Sequence, residues 1–128
     1  MTLERTRTIT ESLLRTFGLT DWSVHFVTFP AMPDEAKFVD GITFTRPRRR
    51  LGICSYRNQT ISLSIEHVEE DDDNCVTEMI AEEIGHALTP GDTNHGPRWK
   101  NARDRVWQTL LELDDTTPRN ALWYVRNR

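Results

Sequence analysis

The sequence has few cysteines, no long apolar run and no excess of basic residues. Its 128 residues include two cysteines, Cys54 and Cys75, too few for a disulfide framework or for a four-thiolate zinc site. No apolar run approaches the ~20 residues that a membrane-spanning helix needs, so we expect no association with a membrane. The first residues show no apolar segment typical of a secretory signal. We therefore expect a cytoplasmic protein with a single domain over residues 1–128.

Acidic residues outnumber basic ones. Sixteen Lys and Arg residues against twenty Asp and Glu residues give a net charge of -4, which argues against nucleic-acid binding through bulk charge. The basic cluster at residues 46–50 (RPRRR) is interpreted as a solvated turn, with phosphate contact as the alternative. A hydrophobic content of 37% and an aromatic content of 9% are typical of a folded domain with a core.

The N-terminal half predicts one helix followed by strands. A capping box formed by Thr8 and Glu11 predicts the start of the helix, and Gly18 predicts its end. Residues 22–29 are rich in aromatic and β-branched side chains and predict a strand. Residues 31–37 read as a loop. Residues 38–45 predict a second strand, in which the Asp40-Gly41 pair could instead form a turn or a bulge.

The C-terminal half predicts a hairpin and two helices. Residues 51–56 and 60–65 predict a β-hairpin, and the acidic residues 69–73 read as a solvated loop. Helices are predicted from about residue 74 to 88 and after Pro97. Residues 114–120 read as a loop and residues 121–125 as a short docked tail. This order of elements predicts an α+β domain with a small, mostly antiparallel sheet.

The predicted helix over residues 74–88 carries acidic residues and a histidine at the spacing of metal ligands. Glu82 and His86 are four residues apart and therefore project from one face. Glu83 lies near the edge of the apolar face, where an unpartnered carboxylate costs stability. A metal ion explains both, because Glu82 and His86 can reach one ion and Glu83 can reach a water on it. The alternative is an exposed acidic helix with a chance histidine.

A third ligand is predicted just after this helix. Pro90 and Gly91 end the helix and let the chain fold back, which places His95 in reach of the same ion. Glu78, one turn before the first predicted ligand, could add a carboxylate. His67 is a further alternative ligand.

Several segments together resemble the SprT-like zinc metallopeptidase family. They are LGICSY at residues 51–56, ISLS at 61–64, HALTPG at 86–91 and HGPRW at 95–99. This ordered set is more specific than a bare HExxH motif. The resemblance implies a zincin-like α+β domain with an N-terminal helix, a central metal-site helix and a following helix. It also implies one zinc ion and hydrolysis of protein or peptide substrates, which in some members are DNA-bound proteins.

The sequence departs from the family in two places. Glu82 stands where the first histidine of HExxH belongs, and the cysteine-rich zinc module of many members is missing. The resemblance then implies Glu82, His86 and His95 as metal ligands and Glu83 as the general base. A carboxylate ligand reduces the Lewis acidity of zinc and makes a site more suitable for manganese or iron. We nevertheless expect zinc, with manganese or iron as less favoured alternatives.

Two functions remain open from the sequence. In the first, zinc activates a water, Glu83 accepts its proton, and a peptide bond is hydrolysed. Candidate donors to the substrate carbonyl are Asn94, Arg98 and Tyr124. In the second, the change at Glu82 has abolished catalysis, and the fold acts as a protein-binding or nucleic-acid-binding module.

Overall fold

The described part of the chain contains four α-helices, a three-stranded sheet and a separate two-stranded sheet. A computed structural model describes residues 1–92 and 94–113. The helices are α1 (Leu3–Thr16), α2 (Ile65–Glu70), α3 (Asp73–Leu88) and α4 (Pro97–Leu113). The strands are β1 (Ser23–Val27), β2 (Met32–Val39), β3 (Ile42–Arg48), β4 (Gly52–Ser55) and β5 (Thr60–Ser64). The mixed α+β class predicted from the sequence is confirmed. The predicted loop and tail over residues 114–125 lie outside the described residues.

Helix α1 begins earlier than predicted. Thr2 caps it, because its hydroxyl accepts a hydrogen bond from the backbone N–H of Arg5 at 3.1 Å. The predicted capping box at Thr8 and Glu11 is wrong. Thr8 lies inside the helix and donates its hydroxyl to the carbonyl of Glu4 at 3.0 Å, a bond that a mid-helix threonine makes readily.

Strands β2 and β3 correct the interpretation of residues 31–45. The segment predicted as a loop belongs to β2, and β2 pairs with β3 in an antiparallel hairpin. Asp40 and Gly41 form the turn, with positive φ angles of 52° and 77°, so the turn alternative at this pair is correct. Pro33 made the segment read as a loop, but it is tolerated in a strand of this two-stranded sheet. Strand β3 also takes up residues 46–48, which are therefore not a turn.

The three-stranded sheet has the order β1-β5-β4 and supports α3. The predicted hairpin of β4 and β5 is confirmed as an antiparallel pair, and β1 runs parallel to β5. Two of the three strand pairings in the described residues are thus antiparallel. Ile61 and Leu63 of β5 are fully buried, as their alternation predicted.

Helices α2 and α3 follow the sheet directly. Residues 65–70 form α2, which the sequence analysis missed because it read the end of this segment as an acidic loop. The side chain of Ser64 caps α2 through the N–H of His67, at 3.2 Å. Asp72 caps α3 through the N–H of Cys75, at 2.9 Å. The observed α3 begins one residue before its predicted start.

Helix α3 is the centre of the core and packs against both β4 and α4. Val76, Ile80 and Ile84 on α3 and Val106 on α4 have no exposed surface. At Gly85 the two helices approach so closely that an added Cβ would lie 3.2 Å from the backbone nitrogen of Arg103. No helix among the described residues is long and apolar enough to span a membrane.

We predict that Gly85→Ala destabilises the protein. Helix propensity alone would favour alanine by about 1 kcal/mol. The added methyl group would, however, press on the backbone of α4, which cannot move aside as a flexible side chain would. We expect a net loss of about 1–2 kcal/mol in the free energy of unfolding, measured by urea denaturation. A stability equal to or above that of the wild type would show that the helices can separate freely.

Candidate metal centre

Two histidines face each other where α3 ends and α4 begins. The Nε2 atoms of His86 and His95 lie 3.1 Å apart. Two imidazole nitrogens on one tetrahedral zinc, with Zn–N bonds of about 2.0–2.1 Å, are separated by about 3.3–3.4 Å. The spacing therefore suits two ligands of a shared ion, although two neutral rings can also form one N–H···N hydrogen bond at this distance. The convergence of His86 and His95 expected from the sequence is present.

The indole ring of Trp99 stacks on the imidazole rings of both His86 and His95. Its ring stacks on His95 at a centroid distance of 3.9 Å and on His86 at 5.2 Å. The Trp99 ring is itself buried, and its Nε1 donates a hydrogen bond to the carbonyl of Glu82 at 3.2 Å. The sequence analysis did not predict a role for Trp99 beside the histidines. The HGPRW segment places Trp99 four residues after His95, but the stacking of the rings depends on how α4 packs on α3.

An open cavity of about 280 Å³ lies beside the histidines, between α3 and β4. Its lining residues are Arg50, Gly52, Ile53, Cys54, Tyr56, Glu83 and His86. The side chain of Glu83 lies against β4, where a Cβ at Gly52 would come within 3.1 Å of its Cγ. The absence of a side chain at Gly52 thus lets the Glu83 carboxylate occupy the same cavity as the His86 ring.

Glu83 has the electrostatic properties of a general base. Burial, and after it the neighbouring charge of Glu82, raise the pKa of its carboxyl group to about 7 against the opposing effect of Arg50. A carboxyl group that titrates near neutral pH can both accept and release a proton efficiently. The environment of Glu83 is therefore suited to the role predicted for it.

Glu82 is placed differently from the other predicted residues. Burial and the charge of Glu78 raise the pKa of its carboxyl group, while Arg103 on α4 lowers it. Glu82 is not among the residues that line the cavity. Across residues 1–92 and 94–113, no three side chains of His, Cys, Asp or Glu are grouped closely enough to hold an ion. The spacing of the histidine pair therefore suits two ligands of one zinc ion. A third protein ligand would require another side chain to change its conformation.

None of the other candidate ligands and carbonyl donors from the sequence analysis that the structure describes lines the cavity. His67 is buried on α2 and its Nδ1 hydrogen-bonds to Asp71, so its ring is engaged elsewhere. Asn94 and Arg98 are exposed and do not line the cavity, and Tyr124 is outside the described residues. Tyr56, which the sequence analysis did not single out, lines the cavity and donates its hydroxyl to the carbonyl of His86.

The two cysteines differ in their surroundings. Cys54 lines the cavity, and burial raises the pKa of its thiol to about 12, with the charge of Glu83 adding to the shift. Such a thiol stays protonated at neutral pH and is a poor nucleophile. Cys75 is exposed near the start of α3, far along the helix from the histidines.

Comparison with known protein families identifies the chain. The sequence model of the SprT-like family matches residues 30–119, more than two thirds of the chain, and includes every residue of the site described above. The chain therefore belongs to the SprT-like family, and the resemblance noted in its sequence is confirmed at that level. The match leaves out α1 and β1. Comparison with curated proteins and with solved structures finds no significant match.

We predict that Glu83→Gln stabilises the metal-free protein at alkaline pH. The folded-state pKa of Glu83 is raised from 4.5 to about 7, so the wild type loses stability as the pH rises between these values. Glutamine resembles the neutral carboxyl group and carries no such penalty. We expect the two proteins to be equally stable below about pH 4.5 and the variant to be more stable by about 3 kcal/mol above pH 7. The measurement is urea denaturation in the presence of a chelator at several pH values. A stability difference that does not change with pH would contradict the assigned environment of Glu83.

Proposed function

We propose that this chain is a metal-dependent peptidase of the SprT-like family. The observation that supports this most strongly is the approach of the His86 and His95 nitrogens to 3.1 Å, with Glu83 in the cavity that His86 also lines. A histidine pair and a carboxyl group with a pKa near neutrality are the components that a hydrolytic metal site needs.

Zinc is the proposed metal, with manganese or iron as less favoured alternatives. His86 and His95 would supply two ligands and Glu82 the third, after its side chain turns toward them. The position of Glu82 allows this, because residues four apart on a helix have Cβ atoms about 6 Å from each other. Two histidines and one glutamate are a known ligand set of catalytic zinc, although the glutamate here comes from an unusual position.

The proposed reaction is hydrolysis of a peptide bond. A metal ion at the histidine pair would polarise the substrate carbonyl and acidify a water molecule. Glu83 accepts a proton from the attacking water as the new carbon–oxygen bond forms. It then transfers this proton to the nitrogen of the leaving amine as the carbon–nitrogen bond breaks. The proposed substrate is a protein or peptide in the cytoplasm, and DNA-bound proteins are included by family resemblance alone.

A second candidate function is a binding module that has lost catalysis. The environment of Glu82 favours it, since the charges that act on this carboxyl group belong to Glu78 and Arg103. In this case Glu82 does not bind a metal ion, and the cavity beside Glu83 binds a peptide or nucleic acid without cleaving it.

We predict that Glu83→Gln abolishes cleavage while metal binding persists. Loss of a general base lowers the rate by about 10²–10⁴-fold, and the amide leaves the histidine pair unchanged. The assays are metal content after purification and casein cleavage with added zinc or manganese. Glu112→Gln, which alters an exposed carboxylate on α4, is the matched control and should cleave like the wild type. Metal-free wild-type protein that cleaves nothing with any metal would support the binding module instead.

We also predict that Glu82→His raises both zinc affinity and cleavage. A neutral imidazole at this position would complete a three-histidine site and leave more positive charge on the metal for the substrate. We expect an affinity gain of at least about tenfold, which corresponds to about 1.4 kcal/mol. The measurement is zinc competition with a chromogenic chelator, followed by the casein assay. If neither quantity changes, residue 82 does not contact the metal.

A further inference from the structure

One carboxylate joins the end of α3 to the start of α4. Asp92 accepts hydrogen bonds from the backbone N–H of Gly96 at 3.0 Å, through Oδ1, and of Trp99 at 3.1 Å, through Oδ2. The backbone N–H of Asp92 donates to the carbonyl of Thr89 at 3.1 Å, just after α3 ends. The turn that carries His95 is thereby held at both ends.

Asp92 replaces the side chain that normally caps a helix. Gly96 directly precedes Pro97, the first residue of α4, and has no side-chain oxygen to offer. Trp99 is the third residue of α4, and its N–H is one that a capping side chain ordinarily satisfies. A Cβ at Gly96 would lie 2.9 Å from Oδ1 of Asp92. The position of the Asp92 carboxylate therefore requires a residue without a side chain at position 96.

This arrangement holds His95 in an unfavourable backbone conformation. His95 has a φ of +55°, in the left-handed region that residues with a Cβ seldom adopt. Such a conformation persists when the surrounding structure imposes it. Here the flanking Gly96 N–H is bonded to Asp92, and the His95 ring is stacked on Trp99, whose N–H is bonded to the same carboxylate.

We propose that Asp92 is a positioning residue that holds the His95 ring against His86. Its carboxylate acts through the backbone of the turn and through Trp99. The consequence for metal affinity rests on the proposed function, whereas the placement of the two rings does not. The competing interpretation is that Asp92 contributes only to the stability of α4.

The chain offers a matched control for that interpretation. Asp72 caps α3 with the same type of bond, to the N–H of Cys75 at 2.9 Å. It lies 14 residues before His86, which corresponds to about 21 Å along the helix. Asp72→Ala should therefore remove a comparable cap without disturbing the histidine pair.

The experiment compares Asp92→Ala, Asp92→Asn and Asp72→Ala with the wild type. The first readout is the nuclear Overhauser contact between the ring protons of His86 and His95 in zinc-free protein. The second is zinc affinity by chelator competition. We expect Asp92→Ala to lose the ring contact and to bind zinc about 10–100-fold more weakly, as when a residue that orients a metal ligand is removed. Asp92→Asn retains one acceptor oxygen and should be intermediate, and Asp72→Ala should match the wild type in both readouts.

Three outcomes would overturn the proposal. They are a ring contact and zinc affinity unchanged in Asp92→Ala, equal losses in Asp72→Ala, and no ring contact in the wild type. If the wild type shows the ring contact but binds no zinc, the proposed function fails, and the ring contact in the variants still tests the positioning role. If Asp92→Ala does not fold, Asp92→Asn and Gly96→Ala replace it, since a methyl group at Gly96 would displace the same carboxylate.

Discussion

The close packing of α3 against α4 is the constraint on which the site depends. Gly85 lets the backbone of α4 approach α3, and the Trp99 ring fills the space beside this contact. From there Trp99 stacks on both histidines and hydrogen-bonds to the backbone of α3. A glycine inside a helix lowers its stability, so the cost of Gly85 is offset by the packing that it permits. The core of the domain and the histidine pair thus share one set of contacts.

On the side of α3 that faces β4, a second glycine makes room for a functional group of the site. Gly52 of β4 leaves room for the Glu83 carboxyl group, which burial then shifts toward a neutral pKa. A fully solvated carboxylate would titrate well below neutral pH and would be a weak base for water. The fold therefore gives up some stability at alkaline pH to keep Glu83 partly buried beside the cavity.

The sequence was most informative where local patterns and tertiary contacts agree. The periodicity of α3, the β4–β5 hairpin and Pro97 at the start of α4 predicted their elements well. Prediction failed where the conformation of a segment depends on residues outside that segment. Pro33 lies in a strand because β2 pairs with β3 on either side of it, and Asp92 caps α4 from five residues before the first residue of that helix. The approach of His95 to His86 was predictable from the sequence, as was the position of Glu83 beside His86. The stacking of Trp99, by contrast, required knowledge of how α4 packs on α3.

The acidic pair at positions 82 and 83 links the electrostatics of the site to its proposed function. Glu82 raises the pKa of Glu83, and both carboxyl groups are partly desolvated, so ionising both is unfavourable. Arg103 on one side and Arg50 on the other reduce this penalty without removing it, since both carboxyl groups keep raised pKa values. The remaining cost of two negative charges at positions 82 and 83 is reduced either by a proton on one carboxyl group or by a cation nearby. A metal ion at the His86–His95 pair is such a cation, and it would leave Glu83 ionised at neutral pH and therefore able to accept a proton. Glutamate at position 82 thus adds a negative charge that a cation at the histidine pair would compensate.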